Sequence, residues 1–266
     1  MKRFALLSSV LGILWSVPAR ADMWLPTPAD TLQWILQGKV DMTADATVYD
    51  IDGFDNGAAT VRKLHAAGKH AICYIDVGTW ENWRPDAKQF PKSVLGKDNG
   101  WPGERYLDIR QLGVLEPIMQ ARFEMCQQKG FDAIEPDNMD SYQAKTGFPL
   151  TWRDELTYVE WLIGVAHDLG LSIGQKNLPE RAKALEPEMD WALLEECFFD
   201  RFCPAFAPYA ADGKAVFNTE YLSDTSETKF RNADCAAAAS QFHYAMELKK
   251  LSLFAWRMDC AGKITQ

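Results

Sequence analysis

One piece of punctuation, repeated four times, constrains this chain more than any other feature. Gly68, Gly130, Gly170 and Gly213 each close a stretch with helical spacing, and each is followed by an apolar run that ends in polar residues. Glycine ends helices because it enters the left-handed conformation without a side-chain clash. The unit therefore reads helix, glycine, strand, polar exit. Strands are predicted over residues 31–37, 48–52, 70–77, 131–135, 171–177, 190–197, 215–221 and 251–256, and helices over 58–67, 112–129, 154–169 and 233–250. Such alternation argues for a parallel sheet, and eight strands close a (β/α)8 TIM-type barrel, an α/β fold in a single domain. Only residues 38–46 separate the first two strands, which is short for a crossover helix. An open doubly wound sheet is the alternative, but its Gly-rich dinucleotide fingerprint is absent. Residues 79–110 carry Trp80, Trp83 and Trp101 among prolines and glycines with little periodicity, the signature of a long functional loop, and 105–109 reads as an extended part of it.

The strand exits collect the chemistry: Asp50 and Asp52, Asp76, Glu135 and Asp137, Lys176 and Asn177, Glu195, and Glu220. The most informative stretch is Phe131 to Asp140, where Pro136 rules out a helix interior and three carboxylates and Asn138 follow a short apolar strand. In a barrel all strand ends meet on one face, so residues distant in sequence share one acidic, aromatic-edged cleft.

Residues 1–21 form a separate object. Lys2 and Arg3, an apolar run from Phe4 to Val17, and Ala19-Arg20-Ala21 make a secretory signal with cleavage after Ala21, leaving a mature domain at 22–266 that is secreted or periplasmic. No later stretch is long and apolar enough to span a membrane. Losing Lys2, Arg3 and Arg20 moves the formal net charge from −9 to about −12. That excludes nucleic acid as a natural partner and favours a cationic ligand. All six cysteines lie in the exported part, where disulfides persist. Fifteen pairings are open; local spacing puts Cys197 with Cys203 first and Cys235 with Cys260 second, leaving Cys73 with Cys126. His65, His167 and His243 are isolated in helical patterns and there is no C-x-x-C, so neither zinc nor another cofactor is called for. A monomer is expected.

A pocket rich in Asp and Glu and edged by tryptophan suits glycoside hydrolysis, which needs two carboxyl groups flanking the scissile bond. A Mg²⁺ or Ca²⁺ hydrolase site and a sugar-binding barrel without turnover are the rival readings of the same residues.

The motifs Tyr49-Asp50-Ile51-Asp52-Gly53-Phe54-Asp55, Cys73-Tyr74-Ile75-Asp76-Val77-Gly78-Thr79-Trp80-Glu81, Trp101-Pro102-Gly103-Glu104, Glu135-Pro136-Asp137-Asn138-Met139-Asp140 and Glu195-Glu196-Cys197 follow one another in order along the chain. Together they resemble the endo-α-1,4-polygalactosaminidases, glycoside hydrolase family 114, over nearly the whole mature length. The resemblance implies a (β/α)8 barrel that cleaves α-1,4-linked galactosamine polymers, with Asp137 and Glu195 as the carboxyl pair. It also implies a cationic or partly acetylated galactosamine polysaccharide as partner. Asp50, Asp52, Tyr74, Glu81, Trp83, Glu135, Asn138, Lys176, Asn177 and Glu220 are the expected substrate-binding residues. Lys176 is expected to keep one carboxylate ionised. The sequence departs from the family pattern at Gly53, Asp76, Leu178 and Leu194, where Leu, Ser, Asp and Asn would be usual, and has Glu196 where Gln is frequent. Asp76 and Leu178 bear on substrate detail.

Overall fold

A computed structural model describes residues 23–266, so the secretory signal expected over residues 1–21 lies outside the described residues. Eight strands pair in parallel in chain order: β1 (Leu32–Ile35), β2 (Val48–Asp52), β3 (His70–Asp76), β4 (Ala133–Asp137), β5 (Ser172–Lys176), β6 (Trp191–Glu195), β7 (Val216–Tyr221) and β8 (Ala245–Lys249). The sheet curls until β8 meets β1. There Lys249 Nζ donates to Gln33 Oε1 at 3.1 Å, Gln33 Nε2 donates to Ala255 O, and the Leu36 and Gln37 amides donate to Leu253 O. Three long helices pack outside: α1 (Ala58–Ala66), α2 (Leu112–Lys129) and α3 (Trp152–Asp168), with Gly130 left-handed after α2 and a Thr151–Asp154 capping box before α3.

The two-residue alternation of each strand sorts its side chains into two cores. Tyr49, Ile51, Cys73, Ile134, Ala192 and Leu194 face the helices, whereas Leu32, Val48, Ile72, Ala133, Trp191, Leu193 and Phe217 form one cluster filling the barrel's interior. Gly174 makes that filling possible, because a Cβ there would stand 2.6 Å from the Trp191 ring. Continuing upward in the interior phase, the chain places Asp50, Glu135 and Glu247 above the apolar plug, then Asp52, Tyr74, Asp137, Lys176, Glu195 and Tyr221 at the mouth.

Three departures from the sequence expectations have physical reasons. The helix expected through Lys250 stops at Phe242, where His243 turns left-handed at φ 59°, and the eighth strand is Ala245–Lys249. The alanine-rich run favours helix, but Met246 and Leu248 alternate with Glu247 and Lys249 and are buried on both faces, which is a strand's pattern. Residues 251–256 are therefore not the closing strand but a loop folded over β1. The extended segment at 105–109 is a strand, Glu104–Leu107, paired antiparallel with Thr79–Glu81 and Leu95–Asp98 in a separate small sheet above the barrel. Between β1 and β2 there is no helix; Val40, Ala44 and Ala46 are buried in the outer core in its place. The three disulfides join the pairs that spacing favoured: Cys73–Cys126 (β3 to α2), Cys197–Cys203 and Cys235–Cys260. Among the described residues no helix is long and apolar enough to cross a membrane.

Candidate active site

The site is organised by one ammonium. Lys176 ends β5 on the interior face, is 4 % exposed, and points its Nζ at Glu135 Oε1 (3.0 Å), Asp137 Oδ1 (2.9 Å) and Glu195 Oε2 (3.3 Å). Its charge also lies 4.6 Å from the centre of the Trp34 ring. One ammonium thus donates to Glu135 and Asp137 and lies against Glu195, an arrangement that alternation creates by placing Glu135, Asp137, Lys176 and Glu195 in the same phase.

Each member of the expected carboxyl pair has a second set of partners. Asp137 Oδ2 accepts from the Tyr74 hydroxyl at 3.0 Å. Glu195 Oε1 accepts from the Tyr221 hydroxyl at 2.5 Å, Glu195 Oε2 from Asn177 Nδ2 at 3.1 Å, and the Glu195 amide donates back to Asn177 Oδ1 at 2.8 Å. The backbone turns sharply just past these strand ends: Asn138, Asn177, Leu178 and Glu196 have φ of 61°, 45°, 67° and 57°. Non-glycine residues held in this region cluster at functional sites, where packing overrides the local preference. Gly78 lets the neighbouring chain pass, since a Cβ there would lie 1.7 Å from Asn138 O.

Burial acts to raise the Asp137 carboxyl, but the Lys176 charge and hydrogen bond, with Tyr74, overcome it and hold the group below the ordinary aspartate range. Burial acts to lower Lys176, but Asp137, Glu135 and Glu195 drive it well above its ordinary value, so it stays an ammonium. One step deeper, burial pushes Glu135 up to about 7 and, with Glu135 beside it, raises Asp50 well above the usual range.

These groups open into a cavity of about 510 Å³ whose lining includes Asp52, Tyr74, Glu81, Asp137, Asn138, Lys176, Asn177 and Glu195. Trp83 and Trp101 stand on its rim 52 % and 55 % exposed, as flat apolar faces, whereas Trp80 packs against the core and donates its indole N–H to Ala87 O. Asp52 and Glu81 are shared by Arg84, whose Nη2 lies 2.7 Å from Asp52 and 2.6 Å from Glu81, so neither presents a free charge. Beyond Glu195 a second groove continues past Asp140, Glu180, Glu196 and Asp200.

Three expected substrate-binding residues do not reach this cavity. Glu220 falls in the outward phase of β7 and accepts from the Phe198 amide and Asn218 Nδ2. Asp50 and Glu135 are in the interior phase but 0 % exposed, one layer below the mouth, so none of the three can touch a sugar. Conversely, Tyr221, Trp34, Arg84 and Asp140 line or border the site although none was named as a substrate-binding residue. Tyr221 shares an alternation phase with Phe217, which is the signal that would have found it. Asp76, Glu81 and Glu104 bring oxygens within 4.8 Å of one another, but protein donors already hold them: Gly78, Thr79 and Asn138 on Asp76, Arg84 on Glu81, Asn99 on Glu104.

The geometry has relatives. A crystal structure of Aspergillus fumigatus Ega3 in complex with galactosamine is 33 % identical, with a TM-score of 0.82 over 92 % of this chain and 100 % of that one. The glycoside hydrolase domain of PelA from Pseudomonas aeruginosa shares the fold at a TM-score of 0.66 and 14 % identity, over 84 % of this chain and 95 % of that one. No curated protein sequence matches the chain significantly. The model of glycoside-hydrolase family GH114 matches residues 14–265, and with Ega3 aligned over its full length the chain belongs to that family and is a glycoside hydrolase.

Proposed function

We propose that this chain is an exported, monomeric, endo-acting hydrolase of α-1,4-linked galactosamine-containing polysaccharide, and that it retains anomeric configuration with Asp137 as nucleophile and Glu195 as acid and base. The observation that carries the reading is the single ammonium shared by the two carboxylates. Contacts of 2.9 and 3.3 Å to the same nitrogen leave the nearer oxygens of Asp137 and Glu195 less than about 6.5 Å apart, which supports a close pair. Retaining pairs stand roughly 5–5.5 Å apart, inverting pairs about 6.5–9.5 Å.

The roles follow from the surroundings. Asp137, held anionic by Lys176 and Tyr74, attacks the anomeric carbon while Glu195 gives its proton to the departing glycosidic oxygen, leaving a glycosyl ester on Asp137. Glu195 then takes a proton from water, whose oxygen displaces Asp137 and restores both carboxyl groups. Lys176 and Tyr221 stabilise Glu195 once it has become the anion. Trp83 and Trp101 offer stacking faces to sugar rings. An acidic groove running past Glu195 on both sides suits a polymer that threads through, and its charge complements the ammonium groups of a deacetylated galactosamine chain. The galactosamine in the Ega3 complex supports the same substrate class.

The test is release of soluble oligosaccharides from partly deacetylated α-1,4-galactosamine polymer, with and without EDTA, by the chain from residue 22 onward and by Asp137→Asn and Glu195→Gln. Release that persists in EDTA, is abolished in both variants, and first yields the α-anomer by NMR is the expected result. Loss in EDTA would establish a metal hydrolase instead. Retention of polymer without release would establish a binding barrel. Amino-terminal sequencing of material recovered outside the cytoplasm tests cleavage after Ala21.

A further inference from the structure

Beneath the mouth, the barrel buries a carboxyl group that the reaction above does not use. Asp50, inward on β2, is 0 % exposed, and neither of its oxygens accepts a hydrogen bond from any donor among the described residues. It faces Glu135 on β4 across the barrel interior, and each carboxyl group acts on the other. Two carboxyl groups can bond to one another only if one of them carries a proton. Glu135 already has two donors, Lys176 Nζ on Oε1 at 3.0 Å and Trp34 Nε1 on Oε2 at 3.1 Å, whereas Asp50 has none. A bare anion sealed in a barrel interior is strongly disfavoured, while one with two donors is tolerated. The charge therefore belongs on Glu135 and the proton on Asp50.

Among the described residues that face Asp50, each cation is already paired with another carboxylate. The groups facing Asp50 are Glu135 from β4, Lys176 from β5 and Glu247 from β8. Glu247 takes Arg257 Nε at 3.2 Å and Thr219 Oγ1 at 3.0 Å, with the Lys249 charge beside it. Lys176 in turn donates to Glu135 and Asp137 and lies 3.3 Å from Glu195. A second anion at Asp50 would draw that ammonium down into the barrel and away from Asp137.

We propose that Asp50 is a positioning residue: it sits in the barrel as the neutral acid, donates its proton to Glu135, and so leaves the Lys176 ammonium free to hold Asp137 as the nucleophilic anion. The consequence for turnover rests on the role of Asp137 proposed above; the protonation state does not. Asn at this position keeps a permanent donor toward Glu135. Leu removes the donor, concentrates the Glu135 charge on Lys176, weakens the grip on Asp137 and lets Asp137 protonate at higher pH.

The experiment compares the wild type with Asp50→Asn and Asp50→Leu in two readouts. In kcat/KM against pH on partly deacetylated galactosamine polymer, Asp50→Asn is expected to keep the acid limb of the wild type, and Asp50→Leu to move it upward by about one pH unit. In the infrared difference between wild type and Asp50→Asn at neutral pH, the wild type is expected to show the C=O stretch of a protonated carboxyl. An acid limb that moves equally in both variants would mean that Asp50 is an anion, and one that moves in neither would mean that it only fills space; either overturns the proposal. A carboxylate band in place of the protonated C=O band overturns it as well. The infrared readout needs no turnover, so it stands if Asp50→Leu does not fold or if the wild type proves inactive on this polymer, the latter being a failure of the functional reading alone.

Discussion

At the scale of single residues, the site works by making one cation serve three anions. Lys176 is the reason Asp137 titrates below its ordinary range despite burial, so removing it has a signed consequence. In Lys176→Met the Asp137 carboxyl should protonate at higher pH, and the acid limb of kcat/KM should rise by more than about one unit. At neutral pH the same variant should lose roughly 10²-fold or more in kcat/KM; an unchanged acid limb would disprove the electrostatic role assigned to Lys176. Tyr221→Phe removes the hydroxyl that donates to Glu195 at 2.5 Å. It should lower kcat about tenfold with little change in KM, because that bond is strongest when Glu195 is the anion. A rise in KM at constant kcat would instead make Tyr221 a binding residue. The residue scale is also where sequence was least able to discriminate. Asp50, Asp52, Glu135 and Glu220 all read alike as acids at strand ends. What separates them is strand phase and depth, which send Glu220 outward, Asp50 and Glu135 below, and Asp52 to Arg84.

At the scale of elements, the helices and crosslinks hold strand ends whose backbone is locally unfavourable. Glu155, in the first turn of α3, is 0 % exposed; its Oε2 accepts from the Tyr142 amide at 3.1 Å, and its Oε1 has no hydrogen-bond donor among the described residues. Burial raises this carboxyl from 4.5 to about 8. The folded state thus prefers the neutral acid. Its contribution to stability is complete below the ordinary glutamate value and is lost as pH rises toward the folded value. Thermal melts of wild type and Glu155→Gln should therefore converge near pH 4 and diverge toward pH 8, with the variant the more stable there. Parallel melting curves across that range would refute the assignment. The Cys73–Cys126 bridge ties β3 to α2 across 53 residues. Replacing both cysteines with alanine should lower the unfolding free energy by about 2–5 kcal/mol, read from the urea midpoint. The Thr79–Glu81, Leu95–Asp98 and Glu104–Leu107 strands show why residues 79–110 looked irregular: they build a small sheet of their own that carries Trp83 and Trp101 to the rim.

At the scale of the whole molecule, charge governs encounter. The sequence carries 37 acidic residues against 28 basic ones. The two grooves that meet at Glu195 carry acids: Asp55 and Glu104 in one, Glu180, Glu196 and Asp200 in the other, with Asp140 lining both. Attraction between such a surface and a polycation is screened over about 10 Å at 0.1 M salt. Accordingly kcat/KM on deacetylated polymer should fall steeply between low and moderate ionic strength, and that on fully N-acetylated polymer, if it is cleaved at all, should hardly change. Equal salt dependence for both would show that the acidic groove does not recruit the substrate.

The sequence by itself determined the strand–helix alternation, the eight-stranded barrel and the face on which the polar groups gather, because periodicity, helix-ending glycines and polar strand exits are local properties. It determined the disulfide pairs to the extent that spacing ranks them. Tertiary structure alone decided where the eighth strand lies, because the same residues 245–249 satisfy a helical or an extended pattern until both of their faces are buried. It alone brought Lys176 against both Asp137 and Glu195. And only a closed barrel could remove Asp50 from every donor among the described residues and set it facing Glu135, since a charge's partners are fixed by the strands beside it in space and not by its neighbours along the chain.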